Sequence, residues 1–270
     1  TGSAVDFGDA TGASTFASGM ASSTRGVFKQ GRVPSGGPFV DTMEYVTFSS
    51  LGGVTDFGND LGISQDSSAS SANGIRGIFG NGTGYDAVIQ SITISTTGDT
   101  VEFGTLASGR YMGGGAGGAS PTRGFFFGGL ISGQPAGERI IESVSFASGG
   151  AASKFGDLTV GRRAIAAVTN NTRAVSCSGD TPATNTMDFI VMATEGNATD
   201  FGDITNQANG YGAGGSNATR GVISGCSPSN TNRIDYITFS TTGNATDFGD
   251  TTYGSYLNGA CSDSHGGLGE

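Results

Sequence analysis

Five arginines recur along the chain in closely similar settings: "TRG" at Arg25, "IRG" at Arg76, "TRG" at Arg123, "TRA" at Arg173 and "TRG" at Arg220. Carboxylates recur with them. One column is Glu44, Glu142, Asp188 and Asp235, with Gln90 in the second copy. Another flanks a repeated Phe-Gly: Asp6, Asp9, Asp56, Asp60, Glu102, Asp157, Asp200, Asp203, Asp247 and Asp250. Guanidinium groups beside carboxylates can bind polar ligands, or they can form bidentate salt bridges that lock one copy against the next. A pair present in nearly every copy reads as scaffold, because a site needs residues that set one place apart.

Other chemistries fit less well. Asp-Phe-Gly also occurs in protein kinases, but here it recurs intact from Asp6, Asp56, Asp200 and Asp247, with no nucleotide loop, "VAIK" lysine or "HRD". The sole histidine, His265, stands in "SHG", where the last copy should have its arginine, so no Ser-His-Asp triad assembles. Cys177, Cys226 and Cys261 lack metal-ligand spacing and read as free buried thiols, with a Cys177–Cys226 bridge left open. The acidic turns follow no EF-hand or nonapeptide pattern. Without Trp, the aromatic platforms of a glycan hydrolase are poorly supplied. We therefore expect no catalytic residue, no metal and no cofactor.

The elements that position these residues follow from a repeat. "GNATDFGD" occurs at 196–203 and again at 243–250. Aligned on Phe-Gly, six copies appear at Phe7, Phe57, Phe103, Phe155, Phe201 and Phe248, spaced 50, 46, 52, 46 and 47 residues apart. A third anchor is β-rich: "MEYVTF" (43–48), "IQSITI" (89–94), "IESVSF" (141–146), "MDFIVM" (187–192) and "IDYITF" (234–239). From its last residue to the Phe is nine residues in all five cases, as for two strands joined by a fixed tight turn. Length varies instead between the Arg-Gly segment and the β-rich run, the mark of a surface loop. Both parities of the β-rich run are partly apolar, which suits sheets stacked face to face.

A period near 48 with about four short strands per copy matches a β-propeller blade. Strand a is the small-residue stretch, as in "ASGMASS". Strand b is "TRGVF", strand c the β-rich run and strand d "ATDFGD". We expect a single all-β domain over 1–270, a kelch-like propeller of six four-stranded blades. Five blades span 10–58, 59–104, 105–156, 157–202 and 203–249. The sixth is shared between 250–270 and 1–9 and lacks its strand c, which must come from beyond either end or from another chain. Each Phe plugs the core between blades, and the Gly after it permits a positive-φ turn.

Composition agrees. The chain has 50 Gly, 6 Pro, no Trp and 13% charged residues, but 17 Phe and clear apolar runs, so it folds rather than staying disordered. Net charge is −10 and the lysines are Lys29 and Lys154, which argues against nucleic acid and anionic membranes. No stretch is long and apolar enough to insert in a membrane as a helix, and no signal peptide is visible. A chain that begins at Thr1 reads as processed, excised or part of a longer one. Sequons stand at Asn81, Asn170, Asn197, Asn217 and Asn244; three read "NAT", and for the two in the repeat turn, Asn197 and Asn244, turn chemistry is explanation enough without glycosylation.

The segments "TGNATDFGD" (242–250), "TRGVF" (24–28), "TRGFFFGG" (122–129) and "IDYITFSTTG" (234–243) resemble kelch-like repeats in structural proteins of tailed phages, especially marine and cyanobacterial ones. The double Gly after strand b (127–129) is similar to the kelch signature. The resemblance covers essentially the whole chain. It implies a non-enzymatic virion component such as a tail fibre, tail-tip or decoration protein, whose partners are other virion proteins, a host-surface glycan or a host protein. A homo-oligomer or a larger chain fits the same picture, and a secreted or cell-surface adhesion module is the alternative. Receptor contact is expected in the variable b–c loops at 30–40, 80–87, 128–139, 178–186 and 225–233, with Tyr85, Arg139, Asp180 and Arg233 as contact candidates.

Overall fold

The constant nine-residue step is a hairpin. At the end of strand c the chain reverses in a turn closed by Ser50 N–H to Thr47 O, Thr96 to Thr93, Thr194 to Val191 and Thr241 to Thr238. Strand d then pairs back antiparallel on strand c. The a–b hairpin is also built from sequence. The residue three before each repeated arginine accepts the arginine's N–H through Oγ of Ser22 and Ser120 or Oδ1 of Asn73, Asn170 and Asn217. Ser and Asn serve here because a short polar side chain can stand in for a backbone acceptor in a tight turn.

The computed structural model describes residues 2–60, 66–80, 82–112, 117–205, 210–225, 232–254 and 259–262. Among them there are strands and no helix. The first blade comprises Ser18–Ala21, Arg25–Lys29, Thr42–Thr47 and Thr55–Asn59, in the spatial order of the chain. The second is Ala69–Ala72, Arg76–Gly80, Val88–Thr93 and Val101–Thr105, and the third Gly117–Ala119, Arg123–Phe127, Ile140–Ser145 and Ser153–Asp157. The fourth is Ala166–Thr169, Arg173–Gly179, Thr184–Val191 and Thr199–Asp203, and the fifth Ala213–Ser216, Arg220–Ser224, Arg233–Thr238 and Thr246–Asp250. The small sheets are arranged as a β-propeller. Strand c is buried on both sides, as its mixed parity requires: Ile89 and Ile92 lie on opposite faces, and both are sealed from solvent.

The expected count of six blades is corrected to five. The sixth copy of the repeat is only partial, and its described pieces, 2–9 and 259–262, form no strand. They still run between the fifth blade and the first. Gly2 N–H bonds Phe248 O and Ala4 N–H bonds Asp250 O, while Gly52 N–H bonds Phe7 O and Val54 N–H bonds Asp9 O. On the channel side, Ser216 N–H donates to Ser262 Oγ at 3.0 Å, and Ala260 O lies against Gly19. Four strands make a blade; these pieces supply contacts to their neighbours with no strand c to pair with among the described residues.

Adjacent blades are joined by one junction repeated around the ring. The Gly that follows the c–d turn donates to the Phe of the preceding copy: Gly98 to Phe57 (2.7 Å), Gly196 to Phe155 (3.0 Å) and Gly243 to Phe201 (2.6 Å). Between the second and third blades the same junction is a short parallel pairing of Gly150–Ala151 with Gly104–Thr105. Asn197 and Asn244 complete it, their Oδ1 accepting the N–H of Asp157 and Asp203 at 3.0 Å, and Asp99 does this for Asn59 at 2.8 Å. These two sequon asparagines are therefore engaged in the latch, and Asn81 lies outside the described residues.

The Gly after each Phe has the expected positive φ at Gly8, Gly58, Gly202 and Gly249, and at all six positions it is needed for a second reason. A Cβ there would meet the next copy's turn carbonyl at 2.0 Å for Gly8, 2.4 Å for Gly58, 1.9 Å for Gly104 and Gly156, and 2.5 Å for Gly202 and Gly249. Positive φ is shared by only some of these positions, whereas the close approach is common to all six. Phe57, Phe155 and Phe201 are buried, each edge-on to an aromatic ring of its own blade (Tyr45, Phe125 and Phe189). Phe7, Phe103 and Phe248 are half-buried.

Candidate functional site

The repeated arginines do not form the expected locking salt bridges. Each lies over an aromatic ring: Arg25 over Tyr45 at 4.1 Å, Arg76 over Phe103 at 4.8 Å, Arg123 over Phe155 at 5.7 Å, Arg173 over Phe189 at 4.7 Å and Arg220 over Tyr236 at 5.0 Å. Four of them reach the next blade and donate to the carbonyl that ends its β-rich run: Arg25 to Ile94, Arg76 to Phe146, Arg123 to Met192 and Arg173 to Phe239. Arg123 adds only a loose contact to Glu195, 4.0 Å away. A guanidinium with several donors suits this split role, stacking on its own blade while bonding the next.

The strand c carboxylates are used on a different partner. Each accepts from the residue four after the Phe of the preceding copy: Glu44 from Thr11, Glu142 from Ala107 N–H, Asp188 from Thr159 and Asp235 from Thr205. Two of them also meet fully buried arginines, Glu142 with Arg110 and Asp188 with Arg162. Arg110 and Arg162 both stand seven residues after a repeat Phe, a signal readable in the sequence and missed there. Lys29 pairs with Asp60 at 3.0 Å, also buried. Burial raises the Asp60 carboxyl above its usual range, against the lowering effect of Lys29.

The chemistry that does not follow the repeat gathers where the channel opens on the side of the b–c loops. Tyr111 lies in the segment entering the third blade, and its ring centroid is 6.5 Å from that of Tyr85. The Arg163 guanidinium sits 5.0 Å over the Tyr111 ring. Arg163 holds Asp180 through Nε and Nη2 at 3.2 and 2.9 Å. Tyr211 donates its hydroxyl to Asp180 at 3.4 Å and packs edge-on against Phe16, 6.0 Å between centroids. On the other flank Ser67 Oγ is 3.2 Å from the Tyr111 hydroxyl and 3.2 Å from Asp66, which pairs with Arg32 at 3.1 Å. The result is a belt of aromatic and charged groups from all five blades.

Local backbone geometry places the belt. Phe16, Ser67, Ala164 and Tyr211 each stand three residues before the channel-lining residue of strand a, at Gly19, Ser70, Ala167 and Gly214. All four are in the left-handed region, with φ of 60°, 64°, 56° and 61°. That conformation costs a non-glycine residue about 1 kcal/mol or more, and it bends the chain toward the axis before the inner strand. The channel is lined by Gly, Ala and Ser from every strand a, and by 259–262, and encloses about 70 Å³. That is room for a few water molecules. A sugar ring or peptide cannot enter, so a ligand would have to be met at the belt.

Two of the four expected contact residues, Tyr85 and Asp180, are in the belt. The other two are not. Arg139 donates Nε to Leu158 O at 2.7 Å, and Arg233 bridges Asp235 at 2.9 Å and Asp247 at 3.6 Å. Tyr111, Arg163, Tyr211, Phe16, Arg32 and Asp66 were not picked out from the sequence. Cys177 is a buried thiol whose Sγ donates to Val175 O at 3.7 Å, and its postulated partner Cys226 lies outside the described residues, as does His265. Cys261 is free, and burial pushes its thiol up to about 12.

Burial raises the hydroxyl pKa of both Tyr111 and Tyr211, and in Tyr211 the neighbouring Tyr111 adds to the rise. A raised folded-state pKa means that the belt's contribution is intact below the unfolded tyrosine value near 10 and is lost as pH climbs past it. Absorbance at 295 nm should therefore show a late-ionising fraction of the tyrosines, with stability falling above about pH 10. Tyr211→Phe should shrink that late fraction. Full ionisation of the folded protein near pH 10 would contradict the belt geometry.

No family model matches the chain, and no curated protein matches it.

Proposed function

We propose that this chain is a non-enzymatic structural and attachment protein of a tailed-phage virion, which meets a host-surface glycan or protein through the belt and the b–c loops around it. One observation carries the reading. Four of the five repeated arginines and the strand c carboxylates are consumed in holding blades together, while Tyr85, Tyr111, Arg163, Asp180 and Tyr211 form a half-exposed cluster that does not follow the repeat. Tyrosine faces beside a fixed arginine and carboxylate suit recognition of hydroxyl-rich surfaces: the rings offer apolar stacking area and the charged pair directional hydrogen bonds. The resemblance of the repeats to phage structural proteins supplies the virion setting.

The test uses the fluorescently labelled chain on a printed array of bacterial surface polysaccharides, with intact host cells as the second probe. Tyr85→Ala and Asp180→Asn are expected to weaken binding about tenfold or more, the range of a contact hot spot, with little change in melting temperature. Binding untouched by both substitutions would contradict the proposal, and so would an unmodified chain that binds neither probe.

A further inference from the structure

The gap between the fifth blade and the first carries three marks of one missing element. The first is Arg220. The other four repeated arginines donate to the carbonyl that closes the next blade's β-rich run, whereas Arg220 is exposed and has no such acceptor among the described residues. The second is Phe48. The equivalent residues Ile94, Phe146, Met192 and Phe239 are at most 3% exposed, but Phe48 is 40% exposed. Ile94 belongs to one buried cluster with Val27 and Met43 of the preceding blade, whereas Phe48 is in no such cluster. The third is the segment 5–9. It makes the inter-blade bonds of a strand d through Phe7 O and Asp9 O, yet among the described residues it has no strand of its own blade alongside, and Val5 is 85% exposed.

We propose that this gap is an acceptor groove for one β-strand of the strand c pattern, and that the strand runs directly into Thr1. A strand c there would lie beside 5–9, put its terminal carbonyl within reach of Arg220, and cover Phe48. The register comes from the repeat. Gly2 and Ala4 bond the fifth blade as Gly243 and Ala245 bond the fourth. The invariant nine-residue step to Phe7 then sets the strand's last residue three positions ahead of Thr1. The strand should alternate as its counterparts do, with a β-branched residue two before an apolar last one. Filling the groove removes an open edge from the ring, and an open edge is what sheets otherwise protect from unwanted pairing.

The experiment fuses this protein's own residues 233–241 in front of Thr1 of the full chain, which reproduces the fifth blade's spacing. The fusion is expected to raise the melting temperature by about 5–10 °C and to slow hydrogen exchange of the amides at 5–9. Arg220→Ala should remove a large part of the gain in the fused chain while changing the unfused chain little. A scrambled nine-residue fusion controls for added length. Equal gains from the native and scrambled fusions would overturn the proposal, as would a gain indifferent to Arg220→Ala. The same peptide added free at equimolar concentration should do far less. If it reproduces the whole gain, the donor is another chain and the proposed connection to Thr1 is wrong.

Discussion

Arg162→Ala is expected to destabilise the protein by about 3–5 kcal/mol, the cost of stranding one partner of a buried ion pair. Arg162 is fully buried and spends its donors on four groups: Asp188 at 2.8 Å, Ser178 O at 2.8 Å, Val160 O at 3.2 Å and Ser176 Oγ at 3.1 Å. Its removal leaves the buried Asp188 with Thr159 but without its cationic partner, and strips a donor from the carbonyls of Ser178 and Val160. The effect should belong to the missing partner more than to the lost attraction. Replacing both members together, as Arg162→Met with Asp188→Leu, should therefore cost less than Arg162→Ala alone. Urea unfolding of the two variants checks this. A double variant at least as unstable as the single one would show that Arg162 acts through its carbonyl contacts instead.

The second large effect is a single methyl group. Gly156→Ala would set a Cβ 1.9 Å from Gly196 O and 2.5 Å from Gly196 C, with backbone on both sides and nothing flexible to yield. The blades must part, at a cost of about 1–3 kcal/mol or more. Gly196 is the control. It opens the octapeptide, and a Cβ there meets nothing within 4 Å, so Gly196→Ala should stay within about 0.5 kcal/mol of the parent. Two glycines in the same junction thus differ in what they must accommodate. Thermal unfolding that ranks them in the opposite order would refute the junction as described.

The scaffold was largely legible because its signals are local and repeated. The nine-residue step between Phe239 and Phe248 is a hairpin, and Ser or Asn three before each arginine is a turn acceptor; neither needs knowledge of distant contacts. The blade count failed on the one copy whose strands are split between the ends of the sequence, since counting Phe-Gly motifs registers strand d whether or not a sheet forms around it. The partner of each arginine was also out of reach. Arg25 and Ile94 are 69 residues apart, and the bond is to a carbonyl, which leaves no trace in side-chain identity.

The belt was half legible for a related reason. Tyr85 and Asp180 lie in loops whose lengths vary, and variation drew attention to them. Tyr111, Arg163 and Tyr211 precede strand a, where each looks like a stray polar or aromatic residue in a glycine-rich stretch. Only the ring brings them together: Arg163 and Asp180 are 17 residues apart, but Tyr211 and Phe16 meet from nearly opposite ends of the chain. Arg110 and Arg162 could have been found from their shared offset after Phe, and with them the buried pairing of the strand c carboxylates.

The division of labour between repeat and belt is tested most directly by measuring melting temperature and polysaccharide-array binding together on two variants, Arg123→Ala and Tyr85→Ala. Arg123 stacks on Phe155 and bonds Met192 O across a blade boundary, while Tyr85 lies against Tyr111 at the channel mouth. The account predicts that Arg123→Ala melts several degrees lower with binding preserved, and that Tyr85→Ala melts normally with binding lost. Normal melting with lost binding in Arg123→Ala would contradict it, because the repeated arginine would then be a contact residue and not a clamp.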